Sequence, residues 1–212
     1  MTATDPGARS GVLAGVSFVA GVAGAMALSD LPYPRPGADP AQVKRYFTEN
    51  AGPARLSVAG QMVSALALGR FTASVVRLAG RSGPGSRALQ AAAVAGGGLA
   101  AASLATAAAC AAALTTSADR PEADAAALAR RAFVAGGPVH TVGFGVLVGA
   151  LGLAGLRTGE LPRPLAVAGL ASAAASVASP LYFLAEPAGW FIPAGRFSGL
   201  LISGIAGARL AR

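Results

Sequence analysis

The sequence predicts an all-α fold: a polytopic transmembrane helix bundle of six spans, with a short interfacial helix between spans one and two. Three observations carry this. Of the 212 residues, 54% are hydrophobic and only 12% are charged, about half the charged share of an ordinary soluble domain. Several uncharged apolar runs reach the ~20 residues that a membrane helix needs. The polar residues gather between those runs, the longest polar stretch being "DLPYPRPGADPAQVKRYFTEN" at 30–50.

The spans fall at about 10–29, 56–76, 88–117, 132–156, 164–185 and 189–208, within a single integral membrane domain over 1–212. The first, third, fourth and fifth are uncharged, whereas the second contains Arg70 and the sixth Arg196. Arg9, the apolar run after it and "AMA" at 25–27 resemble a signal peptide with a cleavage site, but the segment is read here as the first span. A soluble alanine-rich bundle would show a polar stripe at helical spacing on each helix. The third run, "ALQAAAVAGGGLAAASLATAAACAAALTTSA", has no charge on any face, which excludes that alternative. Being mostly alanine, it makes a poor lipid-facing surface and is expected near the bundle centre. In the sixth span Gly195, Gly199, Ser203 and Gly207 recur every four residues, and in the fourth Gly137, Thr141, Gly145 and Gly149 do the same. Such small-residue faces serve close helix packing, within one chain or between chains.

The formal net charge is +8. In a soluble protein that would point to nucleic acid, but here the basic residues sit at the ends of apolar runs, where they anchor helices at a membrane surface. No nucleic acid is expected as a partner. Membrane lipids are expected, together with a protein partner or a second copy of the chain. Six spans put both termini on one side, side A. Lys and Arg number eight on each side, with Arg120, Arg130 and Arg131 on side B, so the positive-inside rule gives a tie. The loops of side A are short and carry few acids, Asp5 and Glu160. That favours cytoplasmic termini in a bacterial plasma membrane. Eight of the twelve aromatic residues lie near side B: Tyr33, Tyr46, Phe47, Phe133, Tyr182, Phe183, Trp190 and Phe191. An interfacial belt marks both faces of a membrane, so a one-sided cluster leaves room for a ligand or partner surface.

The polar insert has internal order. Prolines at 32, 34 and 36 favour extended backbone. Asp39 is placed as an N-cap with Pro40 at the first helical position. Val43, Tyr46 and Phe47 then share one face, which predicts a short helix lying in the membrane interface with that face on lipid. The insert serves either as a lid and tether between two spans or as a gate over a side-B cavity.

Charges within spans are functional hypotheses by default. Arg70 either snorkels to the headgroups or lines an aqueous cavity. His140, the only histidine, stands two residues after Pro138, which frees backbone carbonyls. It is either a satisfied packing residue or a ligand residue needing Glu186, Asp30 or Tyr182 from other helices. Glu186 and Arg196 flank "PAGWFIPAG" and are expected to pair with each other or with Arg35 or Asp30. Tyr182 and Trp190 complete the ligand or cavity candidates. Cys110 reads as a small buried hydrophobe. No nucleophile elbow, zinc-protease motif or phosphate loop is present, so no catalytic residue, metal or cofactor is expected.

In its order of a first span, a loop with a capped helix ("DPAQVKRYFTENAGPARLSVAGQ") and "GLRTGELPRPLAVAGLASAAAS" joining spans four and five through a tight turn, the chain resembles uncharacterised six-span bacterial membrane proteins carrying a domain of unknown function. The Ala-, Gly- and Arg-rich composition is of the actinobacterial type. The resemblance implies a fold and a location, and no activity. The functional expectation is a binding or structural role, as an accessory subunit of a membrane assembly. A carrier or channel for a small or lipidic solute is the first alternative and an intramembrane enzyme the second.

Overall fold

The computed structural model describes residues 5–116, 119 and 121–212. Eight α-helices are present among them: α1 (Ser10–Leu28), α2 (Pro40–Glu49), α3 (Ala51–Gly80), α4 (Ser86–Leu114), α5 (Glu122–Val134), α6 (His140–Thr158), α7 (Arg163–Val177) and α8 (Phe191–Leu210). One-turn 3-10 segments lie at Pro6–Arg9, Ser179–Phe183 and Glu186–Trp190, and a π-turn spans Ala135–Val139. No strand occurs among the described residues. Six helical segments are long and apolar enough to cross a membrane: Pro6–Leu28, Ala51–Gly80, Ser86–Leu114, Glu122–Thr158, Arg163–Phe183 and Glu186–Leu210. The chain is a multi-pass membrane helix bundle.

The spans close a ring. Each packs on the next in chain order, α1 on α3, α3 on α4, α4 on α6, α6 on α7 and α7 on α8, and α8 returns to α1. α6 also touches α3 and α8 across the ring. Phe71 and Val75 of α3 meet Phe144, Leu147 and Leu151 of α6 in its middle, all 1% exposed or less.

Several boundaries differ from the sequence expectation. α3 begins at Ala51, not Leu56, because Pro53 is tolerated in the first turn of a helix. α4 ends at Leu114. Ser117, the expected end of the third span, and Arg120 in its loop lie outside the described residues. The alanine-rich α4 is not the central helix. The segments buried most deeply are Glu122–Thr158 and α3, whereas α4 keeps Val94 and Leu99 exposed. α5 was not anticipated. Pro121 precedes it, Glu122 and Asp124 occupy its first turn and Arg131 its last, a charge order that suits the helix dipole.

The side-chain distribution differs from that of a soluble protein, because the outside is apolar as well as the core. Large apolar residues face outward, among them Leu13, Val16, Met26, Leu66, Phe197 and Leu201. Small hydroxyl residues face inward: Ser64, Thr72, Ser103, Thr141, Ser172 and Ser176 are buried. Most return their hydroxyl to the carbonyl one turn back, as Thr72 does to Leu68 (2.8 Å) and Ser176 to Ser172 (2.8 Å). In lipid, apolar association gains little, so helices join through close van der Waals approach of small residues.

Glycines set that approach. A Cβ at Gly60 would lie 2.6 Å from the Ser17 carbonyl oxygen and 2.7 Å from the Gly21 Cα, which fixes the α1–α3 crossing. A Cβ at Gly96 would meet the Gly143 carbonyl oxygen at 2.8 Å, and this fixes α4 on α6. The small-residue face of α8 packs within the chain. Gly195 abuts the Ser176 backbone, Gly199 the Phe144 ring and Gly207 the Ala8 carbonyl, while Ser203 is buried beside them. On α6, Gly145 abuts Ser176 and Gly149 faces Ala173.

Side A is tied by charge. Arg77 makes a bidentate ion pair with Asp5 (2.7 and 3.1 Å), linking α3 to the segment before α1. Arg81 pairs with Glu160 (2.9 Å), linking the α3–α4 and α6–α7 turns. Partial burial raises the Asp5 carboxyl's pKa, but hydrogen bonds from Arg77 and Ser74 and the Arg77 charge outweigh it, leaving the carboxyl below its ordinary 3.8.

Two outcomes are expected. Gly60→Leu should destabilise the protein in detergent by about 1–3 kcal/mol through overpacking, read as a lowered thermal unfolding midpoint. Gly98→Leu, where nothing lies within 4 Å, should leave that midpoint unchanged. Asp5→Asn should lower the midpoint at pH 7. Because the folded carboxyl titrates below 3.8, its contribution is present above that pH and lost as pH falls through the folded value. Wild type and Asp5→Asn should therefore converge under strongly acidic conditions.

Candidate functional site

Two features occupy side B, one inside the bundle and one at its mouth. The inner feature is a break in the fourth span. Pro138 has no N–H to donate and its ring displaces the preceding turn, and the helix widens into a π-turn over Ala135–Val139 with non-helical torsions at Gly137. A widened turn frees carbonyl groups from the helix ladder, and where they are buried the protein must supply donors. Arg196 of α8 does so. Its Nη2 donates to the carbonyls of Gly136 and Gly137 (3.4 Å to the latter) and lies 3.4 Å from Thr141 Oγ1. Thr141 Oγ1 donates to Gly137 (2.8 Å), and Ser179 Oγ to Pro138 (3.4 Å). The guanidinium stands 5.0 Å from the centre of the Phe18 ring on α1, a cation–π contact that strengthens where water is excluded. Its Nε is buried without a partner. No carboxylate pairs with Arg196 among the described residues.

His140 begins α6 directly after the break. It is 3% exposed, places Nδ1 2.9 Å from the Ala100 carbonyl oxygen on α4, and stacks on Phe144 (centroids 5.7 Å apart). The tautomer donating from Nδ1 fits that contact. The described residues contain no cluster of three or more His, Cys, Asp or Glu that would hold a metal ion.

The outer feature is a cleft of about 950 Å³. One wall is the polar insert, with Tyr33, Arg35, Val43 and Phe47. The facing wall is α5 and the 179–186 corner, with Arg130, Phe133, Tyr182, Phe183 and Glu186. Each wall has its own aromatic cluster. Tyr33 meets Tyr46 and Phe47 edge-on (5.2 and 6.2 Å), and Tyr182 meets Phe133 and Phe183 edge-on (5.6 Å each). The Phe133 ring also lies 3.5 Å from where a Cβ at Gly137 would stand. This wall of the cleft therefore stands one helical turn before the break.

The insert is held as its sequence implies at one end and differently at the other. Asp39 Oδ1 accepts from the Ala41 N–H (2.8 Å) and Pro40 opens α2. The apolar face of α2 does not lie on lipid, however. Val43, Tyr46 and Phe47 are 3–4% exposed and pack against Ala54, Ala111, Leu114 and Ala125 of α3, α4 and α5. Amphipathicity identifies a face that must be covered, and here protein covers it. Tyr46 OH shares a hydrogen bond with Ser29 Oγ (3.1 Å), and Asn50 Oδ1 accepts from the Asp30 N–H (2.9 Å).

The candidate residues read from the sequence thus separate into three places. Arg196 and His140 belong to the break, and Tyr182 and Glu186 to the cleft. Arg70 and Trp190 are exposed on the outside of the ring, and Cys110 is half-buried and free. The expected pairing of Arg196 with Glu186 or Asp30, and of Glu186 with Arg35, does not occur among the described residues; the freed carbonyls take the guanidinium of Arg196. Tyr33, Arg35, Arg130 and Phe133 were not singled out as ligand residues, although three of the four belong to the one-sided aromatic set or the insert.

Arg196→Met should strip the charged donor from the Gly136 and Gly137 carbonyls and lower stability by about 2–3 kcal/mol, measured as thermal unfolding in detergent. Arg70→Met, at an exposed arginine without a hydrogen bond or ion pair among the described residues, should leave the unfolding midpoint in place. Compared with known proteins, the chain matches no family model, no curated protein and no solved structure.

Proposed function

We propose that this chain is a binding protein of the bacterial plasma membrane, of the actinobacterial six-span type it resembles, with cytoplasmic termini and its ligand seat in the side-B cleft. The observation that carries this reading is the cleft itself. It has two aromatic walls, basic groups from both of them (Arg35 and Arg130) and a volume of about 950 Å³, within the range of small-molecule sites. Flat aromatic walls suit an apolar body, and two arginines suit an anionic group. The ligand class is therefore a small amphiphilic anion, taken from the outer surface and presented to a partner subunit or held as a structural component. The short side-A loops carry Arg77, Arg81, Arg87, Arg157 and Arg163, and basic residues in short loops support cytoplasmic termini.

A second reading, a carrier for the same class of solute, draws on the contact between Phe133 of the cleft and Gly137 of the broken helix. Discontinuous helices form solute sites in many carriers.

A diazirine-bearing C16 fatty acid tests the binding reading. Labelled protein should carry the adduct on peptides spanning 33–47, 126–134 and 179–186. Tyr182→Ala with Arg35→Gln should cut that labelling about tenfold, the effect of removing a charged contact and an aromatic wall together. Uniform labelling over the lipid-facing helices, unchanged by the substitutions, would refute the seat. Counterflow of the same fatty acid in proteoliposomes separates carrier from binder: a binder labels in the cleft and shows no counterflow.

A further inference from the structure

A second concavity lies on the other flank of α5. It is a groove of about 610 Å³ between α4 and the α5–π-turn segment. Leu99, Ala102 and Thr106 form one side, and Val134, Ala135 and Val139 the other, with Arg130 and Arg131 at the shallow end. It opens to the lipid side of the ring, where Leu99 and Ala102 are exposed.

Three observations identify its occupant. First, the walls offer no free polar group. The hydroxyls of Ser103 and Thr106 are already returned to Ala100 (3.1 Å) and Ala102 (2.9 Å) of their own helix. A peptide would bring backbone donors and acceptors that find nothing there, whereas a hydrocarbon chain needs nothing. Second, the charge sits at one end and has one sign. No acid lines the groove, and neither arginine has an ion pair among the described residues. Third, the charged end lies towards the side-B end of the bundle. Thr106 is eight residues before the side-B end of α4, about 12 Å at helical rise, within reach of a long arginine side chain that snorkels to the headgroups.

We propose that this groove seats an anionic membrane phospholipid. One acyl chain lies between α4 and the π-turn, along Ala102, Leu99 and Val139, and the phosphate pairs with Arg131, with Arg130 beside it. Arg130 lines the aromatic cleft as well, whereas Arg131 and Ala102 do not, so substitutions at Arg131 and Ala102 test this site apart from the cleft.

The test uses full-length protein in nanodiscs of equimolar phosphatidylglycerol and phosphatidylcholine, with retained lipids counted by native mass spectrometry. Wild type should retain phosphatidylglycerol over phosphatidylcholine by about fivefold, the effect of one basic contact at a membrane surface. Arg131→Gln should bring the ratio to about one, and Arg131→Lys should restore most of it. Ala102→Trp, which fills the groove and leaves both arginines, should abolish retention of either lipid, and Thr106→Trp serves if that variant fails to fold. Arg163→Gln, at the opposite end of the bundle, should match wild type. Equal retention by wild type and Arg131→Gln, or no effect of filling the groove, would overturn the proposal. So would a dimer whose dissociation alone exposes the groove.

Discussion

A single arginine ties together the side-B half of this bundle. The fourth span is broken by Pro138, and the resulting π-turn frees backbone carbonyls beside the buried Gly137 and Pro138. Arg196 crosses from α8 to take them, with Phe18 of α1 against its guanidinium. A guanidinium carries five donors and no acceptor, which suits it to a cluster of carbonyls as well as to a carboxylate. The contact joins α1, the π-turn and α8, and so closes the ring at its side-B end. The break has a second effect: α5 arrives at its own angle, with concavities on both flanks where a straight helix would have continued the bundle.

The ring itself is built by exclusion of bulk. Paired glycines on neighbouring helices remove the side chains that would keep backbones apart, and hydroxyl residues fill the interior while bonding to their own helices. Large apolar residues fill the middle of the ring, as Phe71 and Phe144 do, and also cover its outside, where the solvent is hydrocarbon. This division explains why an alanine-rich helix such as α4 need not be central. A membrane helix needs enough apolar surface to sit in lipid on one side, and Val94 and Leu99 provide it.

The six spans, the capped helix α2 and the small-residue face of α8 were all legible in the sequence, because each rests on residues within one helix. Gly195, Gly199 and Gly207 announce themselves by their spacing. Gly21 with Gly60, and Gly96 with Gly143, do not, since each pair is divided between two helices. The same limit hid the role of Arg196. Pro138 signals freed carbonyls and Arg196 signals a costly charge, but only the fold brings together residues 58 positions apart. α5 was hidden for a different reason: it runs into the fourth span through helical residues with no loop between them, so its charged first half reads as loop. The side-B aromatics were legible as a set because topology alone places them at one end. Their division into two facing walls was not.

The two ends of the bundle are held by different means. Side A is pinned by Asp5–Arg77 and Arg81–Glu160, ion pairs that bridge segments far apart in the chain. Side B is joined by ring edges and by the insert draped across its mouth. Salt screens exposed ion pairs, so ionic strength acts on the side-A rim of this bundle, while the ring edges of side B are indifferent to it.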